Sequence, residues 1–390
     1  MTENLTADWM AGDDLVELVA ALGPDNARYV GGAVRDSLLG QPVKDIDMAT
    51  SLLPEEVMQR LWDAKIRHVP TGIEHGTVTA VLPGGPVEIT TLRHDVATDG
   101  RRATVAFATD WREDAARRDF TINALYADPV SGEIFDWFGG LADLDARRVR
   151  FIGDAHQRIR EDHLRILRYF RFQARFGTQP ADAEAEAACC ELAPTLKGLS
   201  RERVGMEMMN LLGLPDPAPT VVRMAELGVL EVILPEARPE ALPALVAAEQ
   251  AQGAAPDAIR RLAALLPAQV SLAEHVASRF RLSGAQKKRL AAAAARCAEA
   301  AEPRALAYRL GIESAMDRVL IAGADASPLT GWAIPTFPLK GGQIVARGVG
   351  AGPEVARLLR RVEDRWIAEG FPDAARVSAL LDAELADQNS

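Results

Sequence analysis

Cysteine is almost missing from this chain: there are three in 390 residues, two of them adjacent at Cys189–Cys190. Three cysteines cannot build the disulfide framework of a small secreted domain, and none has the paired spacing of a zinc site. A reducing, cytoplasmic setting is therefore expected. Long apolar runs are missing too; nothing approaches the roughly eighteen consecutive apolar residues of a membrane span. The opening MTENLTADWM is acidic and polar, whereas a secretory signal would be basic and then apolar. No membrane partner is expected. Positive charge is also short, with a formal net charge of −11. That argues against indiscriminate nucleic-acid binding, and no DNA partner is expected. The remainder is ordinary for a globular protein, with 48% hydrophobic and 25% charged residues. The length exceeds what one hydrophobic core usually serves, so two or more domains are expected.

The charge is unevenly spread. From Arg147 to Arg175 there are nine arginines against Asp154, Glu161 and Asp162, a balance of +6 over 29 residues. A basic stripe on an acidic body can hold phosphate in one place while the rest resists loose association. A solvated helix face is the plainer account of such a run. Arginine is preferred over lysine throughout, so that bias adds little.

Residues 29–50, YVGGAVRDSLLGQPVKDIDMAT, are the most informative segment. Asp45 and Asp47 are one residue apart, and on a strand they would project from the same face. Two such carboxylates repel each other unless a cation lies between them. Mg²⁺ suits the position, since it takes hard oxygen ligands and leaves places for substrate phosphates. The Gly31–Gly32 turn allows close approach of a phosphate to backbone. A bare Asp-x-Asp is more often a hairpin with two exposed acids; the glycines, Arg35 and the segments that follow move the reading toward a metal site.

A second constellation is EDAARRDFTINALYAD, residues 113–128. Read as a helix, it puts Asp119 and Asn123 on one face and leaves Phe120, Ile122, Leu125 and Tyr126 for the core. An N-capped helix with a charged first turn would look the same. The functional reading assigns Arg118 to phosphate and Asp119 or Asn123 to a sugar hydroxyl. A third is REDHLRILRYFRFQARFG, residues 160–177. Helical spacing predicts one polar ridge of Asp162, Arg165, Arg168 and Arg171, with Leu164, Leu167 and Phe170 facing the core. An ion pair within the helix is one account of Asp162 and Arg165. Base reading is the other: carboxylate only accepts and guanidinium only donates. Cytosine and adenine present an amino donor beside a ring acceptor, while uracil and guanine present the reverse. One such pair could accept C and A and reject U and G without a template.

The texture of the chain predicts an α+β fold. Residues 26–145 mix short strand-like runs (TVTAVL, VEITTL, ATVAFA) with helices, and Asp99-Gly100 reads as a turn or loop tip between two of them. From about Asp154 onward strand signals nearly vanish. Ala-rich amphipathic stretches near 241–265 and 285–307 read as packed helices, punctuated by segments such as 213–220 and 236–243.

VGGAVRDSLLGQPVKDIDMAT, VEITTLR (87–93), ARRDFTINAL (116–125), DWFGGLADL (136–144), REDHLRILRYFRFQARFG and LSRERVGMEM (199–208) follow one another here. In that order they resemble the motifs of class II tRNA nucleotidyltransferases, the CCA-adding enzymes, with bacterial poly(A) polymerases as close relatives. The motifs span about half the chain, and residues 338–364 resemble the tail region more loosely. The resemblance implies a polymerase-beta-like nucleotidyltransferase head (1–145). A helical neck that reads the base (146–210), a helical body (211–330) and a helical, RNA-binding tail (331–390) would follow. It implies that Asp45 and Asp47 bind Mg²⁺, and that Glu88 is a third catalytic acid that positions or deprotonates the attacking hydroxyl. Gly31, Gly32 and Arg35 would meet the triphosphate, Arg118, Asp119 and Asn123 the nucleotide, and Asp162 with Arg165 the base. Arg168 and Arg171 would add further nucleotide contacts. DWFGGLADL resembles a hinge between head and neck. Trp137 and His163 stand where many members have proline.

The expected activity is template-independent addition of C, C and A to the 3′ end of tRNA from CTP and ATP. A CC-adding, A-adding or poly(A)-adding enzyme is the alternative, and a non-catalytic RNA-binding module the third. The loop HDVATDGRRATVAFATDW looks full length and carries Arg101 and Arg102, which favours A addition. No strongly basic C-terminal extension points to a poly(A) polymerase.

Overall fold

The computed structural model describes residues 4–99, 102–296 and 302–388. Among them the strands are β1 (Ala27–Val30), β2 (Ile46–Thr50), β3 (His68–Gly72), β4 (Thr77–Leu82), β5 (Gly85–Thr91), β6 (Arg93–Asp99), β7 (Arg102–Phe107), β8 (Leu125–Ala127) and β9 (Ile134–Asp136). Seven form one sheet in the order β3-β4-β5-β2-β1-β8-β9, and β6 pairs only with β7. Every pairing in the large sheet is antiparallel except β2 with β5.

Alternation along these strands decides which face is covered. In β4, Val78 and Ala80 are fully buried while Val81 is exposed, and in β5 Val87 and Ile89 are buried while Glu88 is exposed. Apart from Thr79, which is buried although it shares a face with Val81, this is the period-two pattern of a sheet with one packed face and one more open face. Helix Pro54–Asp63, with buried Val57 and Leu61, and helix Gly32–Leu38, with buried Ala33 and Val34, pack against the sheet, and helix Asp13–Leu22 packs on Pro54–Asp63. The three strand-like runs read from the sequence are β4, β5 and β7. Asp99 pairs with Arg102 across the β6–β7 tip, where Gly100 and Arg101 lie outside the described residues, as does the Arg102 side chain. After β9 every described element is helical.

The described chain divides into two compact units, Met1–Pro235 and Glu236–Ser390, more coarsely than the four segments expected. Aromatic packing explains why the helix Arg165–Phe176 belongs with the sheet. Phe120 meets Phe151 and Phe172, each at 5.0 Å between ring centroids, and Phe151 stacks on Tyr169 at 5.8 Å. Leu164, Leu167 and Phe170 are buried as the sequence predicts.

The second unit is helical and contains a core around Leu358, Val362, Trp366 and Leu381. The same unit also holds a buried ionic network. Glu249 accepts from Arg260 at 2.7 Å and from Arg261 at 2.9 Å, while Asp317 accepts from Arg260 at 3.0 Å and from Arg289 at 2.7 Å. Both carboxylates are almost wholly removed from solvent.

Candidate active site

The two acids of the Asp-x-Asp segment end up at the open face. Asp45 immediately precedes β2 and Asp47 lies within it. The parallel register places Asp47 directly beside Glu88 of β5, so the third expected acid arrives from forty residues downstream. Burial raises the Asp47 carboxyl pKa above its ordinary range, the neighbouring Glu88 and Asp45 raise it further, and Arg118 opposes them. Crowded acids of this kind favour a bound cation. Among the described residues no three His, Cys, Asp or Glu side chains close on a point as a finished metal cage. An ion here would complete its shell with substrate oxygens, as a catalytic metal with open positions does.

β1 runs into Gly31, which adopts φ 68° and ψ −118° before the helix Gly32–Leu38 begins. Only glycine takes that conformation without strain. The Gly31 N–H is spent on the Leu125 carbonyl at 3.1 Å, so it offers no hydrogen bond to a phosphate. Its contribution is the turn that brings Gly32 to the pocket wall. A Cβ on Gly31 would also stand 3.4 Å from an Arg118 terminal nitrogen. Gly31→Ala is expected to lower stability by about 1–3 kcal/mol and to weaken nucleotide binding. Denaturant unfolding and the nucleotide KM would measure the two effects.

The Arg117–Arg118 pair is held by an acid that the sequence reading did not single out. Asp114 is buried and bonds Arg117 Nε at 2.8 Å, Arg118 at 3.4 Å and the Tyr126 hydroxyl at 2.5 Å. Burial alone would raise the Asp114 pKa, but Arg117, Arg118 and the tyrosine outweigh it and hold the acid below its usual range. Arg118 therefore stays charged and aimed.

The helix expected through residues 113–128 stops early. Helix Trp111–Ala116 ends before Arg117, and Thr121–Asn123 form a 3₁₀ turn. Asp119 and Asn123 still meet, but through that turn, with Asn123 Nδ2 donating to Asp119 at 2.9 Å. The other Asp119 oxygen takes Arg168 through two nitrogens, at 2.8 and 2.5 Å. Burial would raise Asp119, and Arg168 and Asn123 reverse this and hold it low. Asn123 Oδ1 accepts from Arg35 at 2.5 Å, and Arg35 also bonds Asp36 at 2.8 Å and lies over the Phe176 ring. Arg35 is 5% exposed, so its charge is largely consumed in holding the pocket floor.

The single polar ridge predicted for residues 162–171 is not what forms. Asp162 is the extended residue that ends the helix Ala155–Glu161, and the next helix starts at Arg165. The polypeptide turns a corner between them, so helical spacing does not relate the two residues. Asp162 pairs with Arg203 at 2.6 Å, while Arg165 pairs with Glu161 at 2.5 Å and donates to the carbonyls of Arg158 and Arg117. Both nonetheless face one cavity of about 570 Å³, with Gly31, Gly32, Asp47, Arg118, Asn123 and Arg168 also lining it. Arg171 is not on that lining; Glu207 holds it at 2.6 Å. Arg203, Met206 and Glu207 of the helix Arg201–Leu212 form a wall that had no assigned role, although they lie in the LSRERVGMEM segment.

The basic stripe also needs correction. Arg148 and Arg150 pair with Asp143, Arg158 and Arg165 with Glu161, Arg168 with Asp119, Arg171 with Glu207, and Arg175 with Asp36. Much of its positive charge is thus offset by acids of the fold, although Arg148, Arg150 and Arg175 keep exposed side chains.

Known proteins fit this geometry. Residues 27–150 match the Poly A polymerase head domain, and 182–240 match a domain described as the probable RNA and SrmB-binding site of polymerase A. The mitochondrial CCA tRNA nucleotidyltransferase 1 of Mus musculus is 34% identical over 363 residues, covering 88% of this chain and 83% of that protein. The CCA-adding enzyme of Geobacillus stearothermophilus is 42% identical over 206 residues, covering 52% and 50% of the two chains. A crystal structure of the Bacillus stearothermophilus CCA-adding enzyme in complex with CTP superimposes with a TM-score of 0.71 at 26% identity, over 97% of this chain and 99% of that one. A Thermotoga maritima CCA-adding enzyme complexed with tRNA shares the fold, with a TM-score of 0.70 at 19% identity, over 98% and 97% of the two chains. With its acids on the open sheet face and the helix Arg165–Phe176 beside them, the chain belongs to the family of CCA-adding tRNA nucleotidyltransferases, whose catalysis depends on a divalent metal.

Proposed function

We propose that this enzyme adds C, C and A in turn to the 3′ end of tRNA, using CTP and ATP with Mg²⁺ and releasing pyrophosphate. One observation supports the reading: Asp47, Asp162 and Arg165 line a single cavity, so an acid suited to a metal and groups suited to a base edge can meet one nucleotide. The acceptor's 3′ oxygen bonds to the α-phosphorus as the bond to the pyrophosphate oxygen breaks, and pyrophosphate leaves with that electron pair. The hydroxyl proton departs toward Glu88 or solvent. Mg²⁺ at Asp45 and Asp47 would lower the hydroxyl pKa and absorb charge on the phosphorus oxygens. Arg118, kept charged by Asp114 and Tyr126, neutralises phosphate on the pocket side.

Base choice falls to Asp162 and Arg165. Arg203 and Glu161 hold them in place, and Met206, exposed at the pocket wall, gives an adaptable apolar surface for bases of two sizes. Residues 1–145 act as head, 146–210 as neck and 211–330 as body, while 331–390 serve as the RNA-binding tail. The free Cys189 and Cys190 agree with work in the cytoplasm. The mouse relative is a mitochondrial enzyme.

Incubating the protein with tRNA that lacks its three terminal nucleotides, with each nucleotide singly and together, and sequencing the 3′ ends tests the reading. CCA ends are expected. Long A tails, or arrest at CC with ATP present, would sink it.

A further inference from the structure

We propose that the open face of β5, β4 and β3 seats the last nucleotides of the acceptor strand and contacts their 2′-hydroxyls; this rests on the nucleotidyl-transfer reading above. The nucleotide cavity lies to one side of Asp47. The nucleotide cavity draws its lining from the turn after β1, from the segment before β8 and from the helices beyond. Among the described residues it takes nothing from β3, β4 or β5. Asp47 on β2 is its boundary. In-line transfer puts the attacking oxygen opposite the leaving pyrophosphate across the α-phosphorus. With the triphosphate on the β1 side, the acceptor must come from the β5 side, over Glu88.

The surface there suits a single RNA strand. Register carries one row of same-face residues outward from Asp47 to Glu88, then to Thr79 of β4 and Val69 of β3. The next row pairs Thr90 with Thr77. The hydroxyls of Thr71 and Thr79 are 2.7 Å apart, and those of Thr77 and Thr90 are 3.1 Å apart. In each pair one proton is used between partners. Thr79 is buried, so its pair offers its remaining hydrogen-bonding capacity through the exposed Thr71, while Thr77 and Thr90 are both partly exposed. A 2′-hydroxyl is both donor and acceptor, so it matches such a pair and a deoxyribose does not. Val69 is 40% exposed and Val81 37%, giving apolar steps for ribose and base faces. Duplex phosphates would call for arginines here, and these rows contain none.

The test uses a hairpin RNA acceptor lacking the three added nucleotides, compared with the same hairpin made 2′-deoxy at its last two positions. For the wild type, the deoxy acceptor should raise the acceptor KM about tenfold. Thr90→Val should raise the KM of the all-ribose acceptor by a similar factor and abolish the difference between the two acceptors. The CTP KM and the melting temperature should be unchanged. Thr71→Val, on the exposed edge strand, repeats the test at a position that packing hardly uses. An unaltered acceptor KM in both variants would overturn the proposal. So would a raised KM with the ribose preference intact. No addition by the wild type would defeat the transfer reading itself, which is a separate and visible failure.

Discussion

Asp47→Asn is expected to reduce nucleotide addition by on the order of 10³-fold or more, the scale of losing a metal-held charge at a phosphoryl centre. Asp45→Ala should do the same, and tRNA binding should stay within about twofold in both. Single-turnover addition of labelled CTP and filter binding of tRNA provide the two readings. Asp47→Asn carries a second signature with a definite sign. The Asp47 carboxyl has a raised pKa in the folded protein because of burial and its acidic neighbours. An acid with a raised folded pKa favours the fold while protonated and loses that advantage as pH climbs through the folded value. Near neutrality the ionised Asp47 therefore costs stability, and the neutral asparagine should leave the unfolding midpoint equal or higher. A variant both inactive and clearly destabilised would indicate a structural role instead.

Arg165→Ala should blur the choice among nucleotides more than it slows addition. A site built to hydrogen-bond a base edge can reject a mismatch by 10⁴-fold or so. Losing its donor is expected to cut the kcat/KM ratio of CTP over UTP by on the order of 10²-fold. Asp162→Asn should act in the same direction, since the amide replaces an acceptor with a donor while Arg203 loses its charged partner. Competition between CTP and UTP on one tRNA measures the ratio directly. If both variants keep it unchanged, the base is read elsewhere in the cavity.

How far the fold was legible depended on distance along the chain. TVTAVL and VEITTL declared themselves as strands because alternation is local, and Leu164, Leu167 and Phe170 declared themselves as core for the same reason. The corner at Asp162 was not legible. Spacing arithmetic assumes an unbroken helix, and nothing in REDHLRIL marks the turn that gives Asp162 to Arg203 and Arg165 to Glu161. The arginine stripe misled for a related reason. Its partners Asp36, Asp119 and Glu207 come from other parts of the chain, and Asp143 lies just outside the stretch counted, so a window that counted arginines could not see the acids that cancel them. Asp114 looked like one more charge in a helix's first turn, although it fixes Arg117, Arg118 and Tyr126 together.

The one parallel pairing in the large sheet sets a constraint on how such a protein can change. Asp47 and Glu88 meet because β2 and β5 run side by side in a single register. A slip of one residue in β5 would put Val87 or Ile89 beside Asp47 and send Glu88 into the packed face. The segment between the two strands, from Ser51 to Gly84, can gain or lose residues at its turns without touching this alignment. Inside β2 or β5, a single inserted or deleted codon would scramble catalysis while leaving the composition nearly untouched. Lineages of this protein should therefore vary in length at those turns and keep a fixed count within the two strands, much as a gear train tolerates a longer shaft and not a missing tooth.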